Sequence, residues 1–179
     1  MPRCPRPRLY TGVLYEALGL ESLPPAARRT ANRSLVVVSA LWGALRPTDA
    51  VPPYRVSMGT SLPGIGPLAA YWRPLLDAPL TEAAGDGLVV DCRSSTYQAA
   101  WTPGPDLAAR TVAVRVLREA DGRRSVVSHM AKHTRGEVVR HLLLRGGRAP
   151  RTPARLAAAV GEAFEVEPGE RRLDVVVRT

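Results

Sequence analysis

The stretch from Val36 to Trp72, VVVSALWGALRPTDAVPPYRVSMGTSLPGIGPLAAYW, constrains the fold more than any other part of this chain, because it imposes three local conformations in succession. An apolar β-branched run ends in a tight glycine turn. A Pro-rich extended connector follows, carrying Arg46, Tyr54 and Arg55. A Gly-hydrophobic-Gly turn then opens a helix: Gly64 and Gly66 allow backbone conformations closed to other residues, and Pro67 suits a first helical turn, where a missing N–H is no loss.

Unpaired amides at such a helix start form a ready anion site. Leu62–Trp72 therefore reads as the turn and second helix of a helix-hairpin-helix-like element, which grips a nucleic-acid backbone through its amides and positions on phosphate without reading bases. Pro52, Pro53 and Gly59 leave little room for the first helix of that motif. The alternative reading is an ordinary left-handed turn capping a packed helix.

A chain of 179 residues is long enough to bury a continuous core. Its 45% hydrophobic and 23% charged residues are an ordinary globular balance, whereas a formal net charge of +9 is not. That charge favours polyanions or anionic surfaces as partners, and no long acidic run offsets it. Arginine supplies 24 of the 25 basic residues and Lys132 is the single lysine, so a general preference for Arg also feeds the charge. Cys4 and Cys92 have no metal-ligand spacing and read as reduced thiols of a cytoplasmic protein. No apolar run of about 18 residues and no signal peptide stand out, so no membrane partner is expected.

Residues 1–8, MPRCPRPR, read as a disordered Pro/Arg-rich lead, and 9–179 as one domain. Leu9–Leu20 reads as a short amphipathic helix with Thr11 as cap and Gly19 as stop, and Pro24–Arg33 as a polar helix with proline at its start. The apolar run Leu35–Leu41 reads as a strand buried on both faces. Pro67–Ala84 is predicted helical, kinked or divided at Pro74 and Pro79. Leu88–Cys92 reads as a second buried strand, followed by a helix that Ser94 or Ser95 caps and that places Tyr97 and Trp101 on one face. Thr111–Arg118 and Ser125–Met130 alternate on either side of an Asp121-Gly122 hairpin turn. Helices are expected over Thr134–Leu144, ended by Gly146-Gly147, and over 152–164, with a closing strand at Arg172–Arg178. The class is α+β, or α/β, with a mixed sheet flanked by helices.

A second polar group lies at Ser128–Gly136, where Lys132, His133, Thr134 and Arg135 are expected at a helix start with unpaired amides, a setting for phosphate or carboxylate. Lys132 differs chemically from a guanidinium fork and is a candidate base or Schiff-base amine; a solvated helix start is the bland alternative. His129, His133 and His141 do not make a metal set, because a strand-to-helix boundary is expected between the first two and no acidic ligand is near in sequence. Asp91, Arg93, Ser94 and Ser95 stand where ligands of open sheets bind, although Asp91 reads equally as a strand-end partner of Arg93. Common hydrolase, protease, nucleotidase and dinucleotide motifs are absent. No cofactor or metal is expected.

The stretches LYTG (Leu9–Gly12), SALWGALRPTD (Ser39–Asp49), PYRVSMG (Pro53–Gly59), Tyr71-Trp72, VDCRSSTY (Val90–Tyr97) and VSHMAKHTRG (Val127–Gly136) occur in an order that resembles the bacterial peroxide stress protein YaaA family. The resemblance implies a DNA-binding protein with a basic cleft and a helix-hairpin-helix-like element, which helps cells survive hydrogen peroxide by limiting free intracellular iron. It places Arg46, Tyr54, Arg55, Lys132 and Arg135 in the cleft, beside Gly64 and Gly66 from the turn. Members of the family usually carry a strand and several helices before LYTG, where MPRCPRPR stands here, so the chain reads as amino-terminally truncated. Two functions follow: a protein that binds DNA through its phosphate backbone, or an enzyme acting on a nucleotide or damaged DNA with Lys132 as nucleophile or base. Oligomeric state has no signature in the sequence.

Overall fold

Val112, Val114 and Val116 alternate along the longest strand, and the fold is laid out around it. The computed structural model describes residues 11–178. The lead expected over residues 1–8, Cys4 within it, and the first two residues of the expected helix at Leu9 lie outside the described residues. In chain order the elements begin with helices α1 (Val13–Leu18) and α2 (Pro25–Ser34), with a 3-10 turn at Leu20–Ser22 between them. Two small hairpins follow, β1 (Val37–Ser39) with β2 (Gly43–Leu45) and β3 (Ser61–Leu62) with β4 (Gly66–Pro67). Next come helices α3 (Leu68–Trp72) and α4 (Asp77–Ala84), strand β5 (Val89–Asp91), and the short helices α5 (Ser95–Gln98) and α6 (Pro105–Ala108). The carboxyl-terminal half holds β6 (Thr111–Ala120), β7 (Arg123–Ser125), α7 (Ser128–Leu144), α8 (Pro153–Gly161), β8 (Glu165–Gly169) and β9 (Arg172–Arg178).

The main sheet has the order β5-β6-β9-β8, with β7 paired to the far end of β6. β5, β6 and β9 are parallel, while β7 and β8 are antiparallel to their neighbours, so the sheet is mixed and the class is α+β. Val112, Val114 and Val116 of β6 and Leu173 and Val175 of β9 point to one face, where Ala131 and Val138 of α7 and Leu156 and Val160 of α8 cover them. Burying such a set at roughly 1.5–3 kcal/mol per large side chain is the main favourable term for this half of the molecule.

On the opposite face, Arg115 of β6 makes a paired hydrogen bond with Asp174 of β9, Nε to Oδ1 at 2.7 Å and Nη2 to Oδ2 at 2.6 Å. Arg124 donates to Glu119 and Glu167, and Arg178 to Glu165. This ladder of ion pairs crosses the sheet above Leu117 and Val176, which are both buried. Asp174 is only 4% exposed, and the hydrogen bonds from Arg115 hold its carboxyl below the usual carboxylate range.

A second core gathers Ala40, Met58, Leu68, Leu76, Leu80, Ala100, Trp101 and Leu107, and a third packs α1 and α2 against the later half of α7. α1 and α7 approach closely at Gly136, where an added Cβ would stand 2.2 Å from the Leu14 carbonyl oxygen and 2.8 Å from the Ala17 Cβ of α1.

Several elements depart from the sequence expectations. The run Leu35–Leu41 is not a strand buried on both faces; only Val37–Ser39 is extended, in a hairpin outside the main sheet. The reason is local: the Ser39 hydroxyl accepts the amides of Leu41 and Trp42, and Gly43 at φ 70° turns the chain back. Among the described residues no helix lies between β2 and the Gly64–Gly66 turn, so the helix-hairpin-helix-like element is not seen. Pro63 and Gly64, at φ 75°, make the bend of a β-hairpin closed by Ile65 N–H to Leu62 O at 3.2 Å. Gly12 rather than Thr11 stands before α1, and Trp101 lies past the end of α5. Ser125–Met130 is not a strand: β7 ends at Ser125 and α7 already begins at Ser128. The divided helix about Pro74, the strands at 89–91 and 172–178, the Asp121-Gly122 hairpin, and the stops at Gly19 and Gly146 agree with the expectations.

Two predictions follow from this packing. Gly136→Ala should destabilise the fold by about 1–3 kcal/mol in a denaturant titration, because the forced separation of α1 and α7 outweighs a gain of about 1 kcal/mol in helix propensity. The folded pKa of Asp174 lies below its unfolded value near 3.8, so its stabilisation is complete above that value and is lost as pH falls through the folded pKa. Asp174→Asn should therefore cost about 1 kcal/mol at neutral pH, a low value because the Arg115 side chain is 43% exposed and screened, and the gap to wild type should close in melts below about pH 4.

Candidate functional site

The stretch Val90–Tyr97 leaves the end of β5 and turns into α5, and the side chains at this strand end are fixed by one arginine. Arg93 donates its backbone N–H and Nε to Asp91 Oδ1, at 3.0 and 2.9 Å, and Nη2 to Oδ2 at 2.8 Å. Its remaining donors reach the carbonyls of Tyr97 and Trp101 at 3.1 Å each, and its guanidinium lies 4.9 Å from the centre of the Trp101 ring. Of the two sequence readings of Asp91, the structure takes the one in which it is the partner of Arg93.

The residue between them, Cys92, faces Arg135 of α7. Burial of the thiol pushes its pKa up to about 12, the neighbouring Asp91 charge adds to this, and the Arg135 guanidinium offsets part of it. Cys92 is thus a protonated thiol at neutral pH, not a thiolate nucleophile. Arg135 itself is tied by Nε to the Val114 carbonyl of β6 at 3.0 Å.

On the other side of the strand end, Tyr97 meets the Pro53–Gly59 connector. Its phenol is pushed above the usual range by burial first and by Tyr54 second, while a hydrogen bond from the Met58 backbone opposes the shift. Tyr54 Oη lies 2.5 Å from the buried Ser39 Oγ. A Cβ on Gly59 would sit 3.3 Å from Thr96 Cγ2, so the connector runs close along α5. Ser39, Tyr54 and Tyr97 on one side and Cys92 and Arg135 on the other thereby flank the path of the chain around the end of β5.

The sequence-selected residues divide on this map. Tyr54 and Arg135 are brought to the path from positions 81 residues apart, with Arg55 exposed beside Tyr54 and Lys132 exposed one turn before Arg135 on α7. Arg46 is elsewhere: its Nη1 holds the carbonyls of Arg33 and Leu35 at the end of α2, at 2.9 and 3.2 Å. Gly64 and Gly66 belong to the turn of the β3–β4 hairpin, with nothing within 4 Å of a Cβ at either, and the hairpin follows the connector through the Ser57–Thr60 turn.

Two expectations about α7 change. Its first turn is Ser128–Met130, since Ala131 N–H already bonds Val127 O at 2.9 Å, so the amides of Lys132 through Arg135 are inside the helix and not at its open end. His129 and His133 share that helix four residues apart, and His133 Nδ1 stands 3.2 Å from Glu137 Oε2; among the described residues no group of three His, Cys, Asp or Glu is placed to hold a metal ion. Lys132 is exposed, whereas an amine activated for covalent chemistry is desolvated or set beside a second cation. Ser39 and Tyr97 were not selected as site residues; the signal available for them was their place in SALWG and STY, two stretches that carry the family resemblance.

A family model described as peroxide stress protein YaaA matches residues 5–169, a span that includes every motif around the β5 end. A UPF0246 protein of Streptomyces coelicolor is 54% identical over 164 residues, which is 91% of this chain and 62% of the relative. A UPF0246 protein of Corynebacterium efficiens is 40% identical over 94% of this chain and 63% of its own length, and one of Corynebacterium glutamicum is 36% identical over 95% and 68%. The chain thus spans somewhat under two thirds of the first two relatives. With the match covering nearly its whole length, the chain belongs to the peroxide stress protein YaaA family.

Proposed function

We propose that this protein acts in the cytoplasmic response to hydrogen peroxide by binding DNA through the phosphate backbone, and that it thereby helps to limit free intracellular iron. The observation that carries the reading is a division among its basic side chains. Arg46, Arg73, Arg93, Arg135 and Arg140 are spent on backbone carbonyls of their own chain. Arg29, Arg33, Arg55, Arg123 and Lys132 are exposed and, among the described residues, engage no anionic partner. In a chain of formal net charge +9, such cations are available to neutralise phosphates and release counterions.

Arg55 and Lys132 are the two that stand beside the β5 end, and the open amides of Ser128, His129 and Met130 at the start of α7 add uncharged donors. In this reading Arg135 and Tyr54 position the surroundings, Arg135 through its Nε bond to the Val114 carbonyl and Tyr54 through its contact with Ser39 Oγ. Backbone contacts without base readout give affinity that depends on salt and little on sequence.

The test is fluorescence anisotropy with a short labelled duplex over a series of salt concentrations. Affinity should fall steeply with salt and change little when the duplex sequence is altered, and Arg55→Ala and Lys132→Ala should each flatten the log–log salt slope by about 1. Salt-independent binding, or slopes unchanged in both variants, would refute the assignment.

A further inference from the structure

Away from the β5 end, the loop joining α7 to α8 folds back over the flank of α8 and borders an open concavity of about 600 Å³, lined by Arg145, Arg148 and Arg155 together with Glu162 and small residues of the loop and of α8. We propose that this concavity is a separate binding site for a multiply charged phosphate, such as the pyrophosphate group of a small phosphoester. The proposal does not depend on the DNA reading.

The charges at the site are unequal. Glu162 is matched by Arg145, whose Nε lies 2.8 Å from both of its carboxylate oxygens. That pair holds Arg145 in place and, among the described residues, leaves its two terminal Nη groups without a protein acceptor. Arg148 and Arg155 are exposed and, again among the described residues, have no ion-pair partner. Two positive charges therefore remain uncompensated around one hollow, which matches an oxyanion of at least two negative charges better than a lone carboxylate. Guanidinium forks bind such oxygens bidentately.

The carboxyl end of α7 presents partially negative carbonyls to the same region, which by itself would repel an anion. Arg145 stands at that end and counters it, while Gly146 and Gly147 at φ 67° and 69° turn the chain so that small residues form the wall. The hollow falls within the roughly 300–1,000 Å³ typical of small-ligand sites, larger than a single inorganic phosphate needs.

The experiment is isothermal titration of the protein with inorganic pyrophosphate against sodium chloride at matched ionic strength. Saturable binding of pyrophosphate beyond the chloride control is expected. Arg148→Ala with Arg155→Ala should weaken it by about tenfold or more, as should Ala158→Glu, which places a carboxylate on the exposed wall without removing a cation. Thermal melts that match wild type show that either loss is local, because none of the three side chains is buried. Equal binding in wild type and both variants, or none above the control, overturns the proposal. A short DNA duplex that leaves bound pyrophosphate in place supports a site for a small phosphoester; displacement by the duplex assigns these arginines to the nucleic-acid backbone and overturns it.

Discussion

The Asp91–Arg93 pair is the contact on which both halves of the molecule depend. Its side chains are 9% and 13% exposed, so the pair is held in low dielectric, and both carboxylate oxygens of Asp91 and all three guanidinium nitrogens of Arg93 have a hydrogen-bond partner. Arg93 joins the end of β5 to the carbonyls closing α5, and Trp101, stacked beside it, passes the connection on through Nε1 to Asp77 at the start of α4. The main sheet and the second core are therefore linked by one guanidinium. A buried ion pair of this kind contributes little net stability relative to an apolar replacement, but losing one partner strands the other charge at about 3–5 kcal/mol. Its value here is geometric: it sets where Cys92 and Tyr97 lie, and so where Arg135 and Tyr54 meet them.

The same use of arginine recurs through the chain. Arg46 ties the end of α2 to the β2 turn, Arg140 holds the carbonyls of Leu18 and Gly19 where α1 stops, and Arg135 fastens α7 to β6. The final carbonyls of a helix have no intrahelical donor, and a guanidinium with five N–H groups can satisfy two or three while covering apolar surface with its stem. Arginine count is thus a poor measure of phosphate-binding capacity in this protein. Part of the positive charge stabilises the fold, and only the exposed remainder is available to a polyanion.

This division explains which parts of the site were readable from sequence. Arg46 and Arg135 were selected for residue type and motif, yet sequence could not distinguish an arginine facing solvent from one clamped to a carbonyl, because that depends on chain segments remote in sequence. Tyr97 reads as one face of a short helix, and its importance appears only when Met58 and Tyr54 arrive beside it. Gly64 and Gly66 were correctly read as positions of positive φ, but the same torsions serve a β-hairpin and a helix-opening turn equally well. What decided between them was the pairing of Ser61 and Leu62 with Pro67 and Gly66, a contact across the turn.

By itself the sequence determined the family, the alternating strand β6 with its Asp-Gly hairpin, the closing strand β9, the glycine stops of α1 and α7, and an excess of positive charge. These are local properties, set by side-chain periodicity, by the torsions open to glycine and proline, and by composition. Tertiary structure alone decided that Leu35–Leu41 would end in a small hairpin, that α7 would start at Ser128, and which arginines would be internal. Each of those outcomes rests on hydrogen bonds and burial between distant residues, whose free energy exceeds local preference and leaves no periodic trace in the chain.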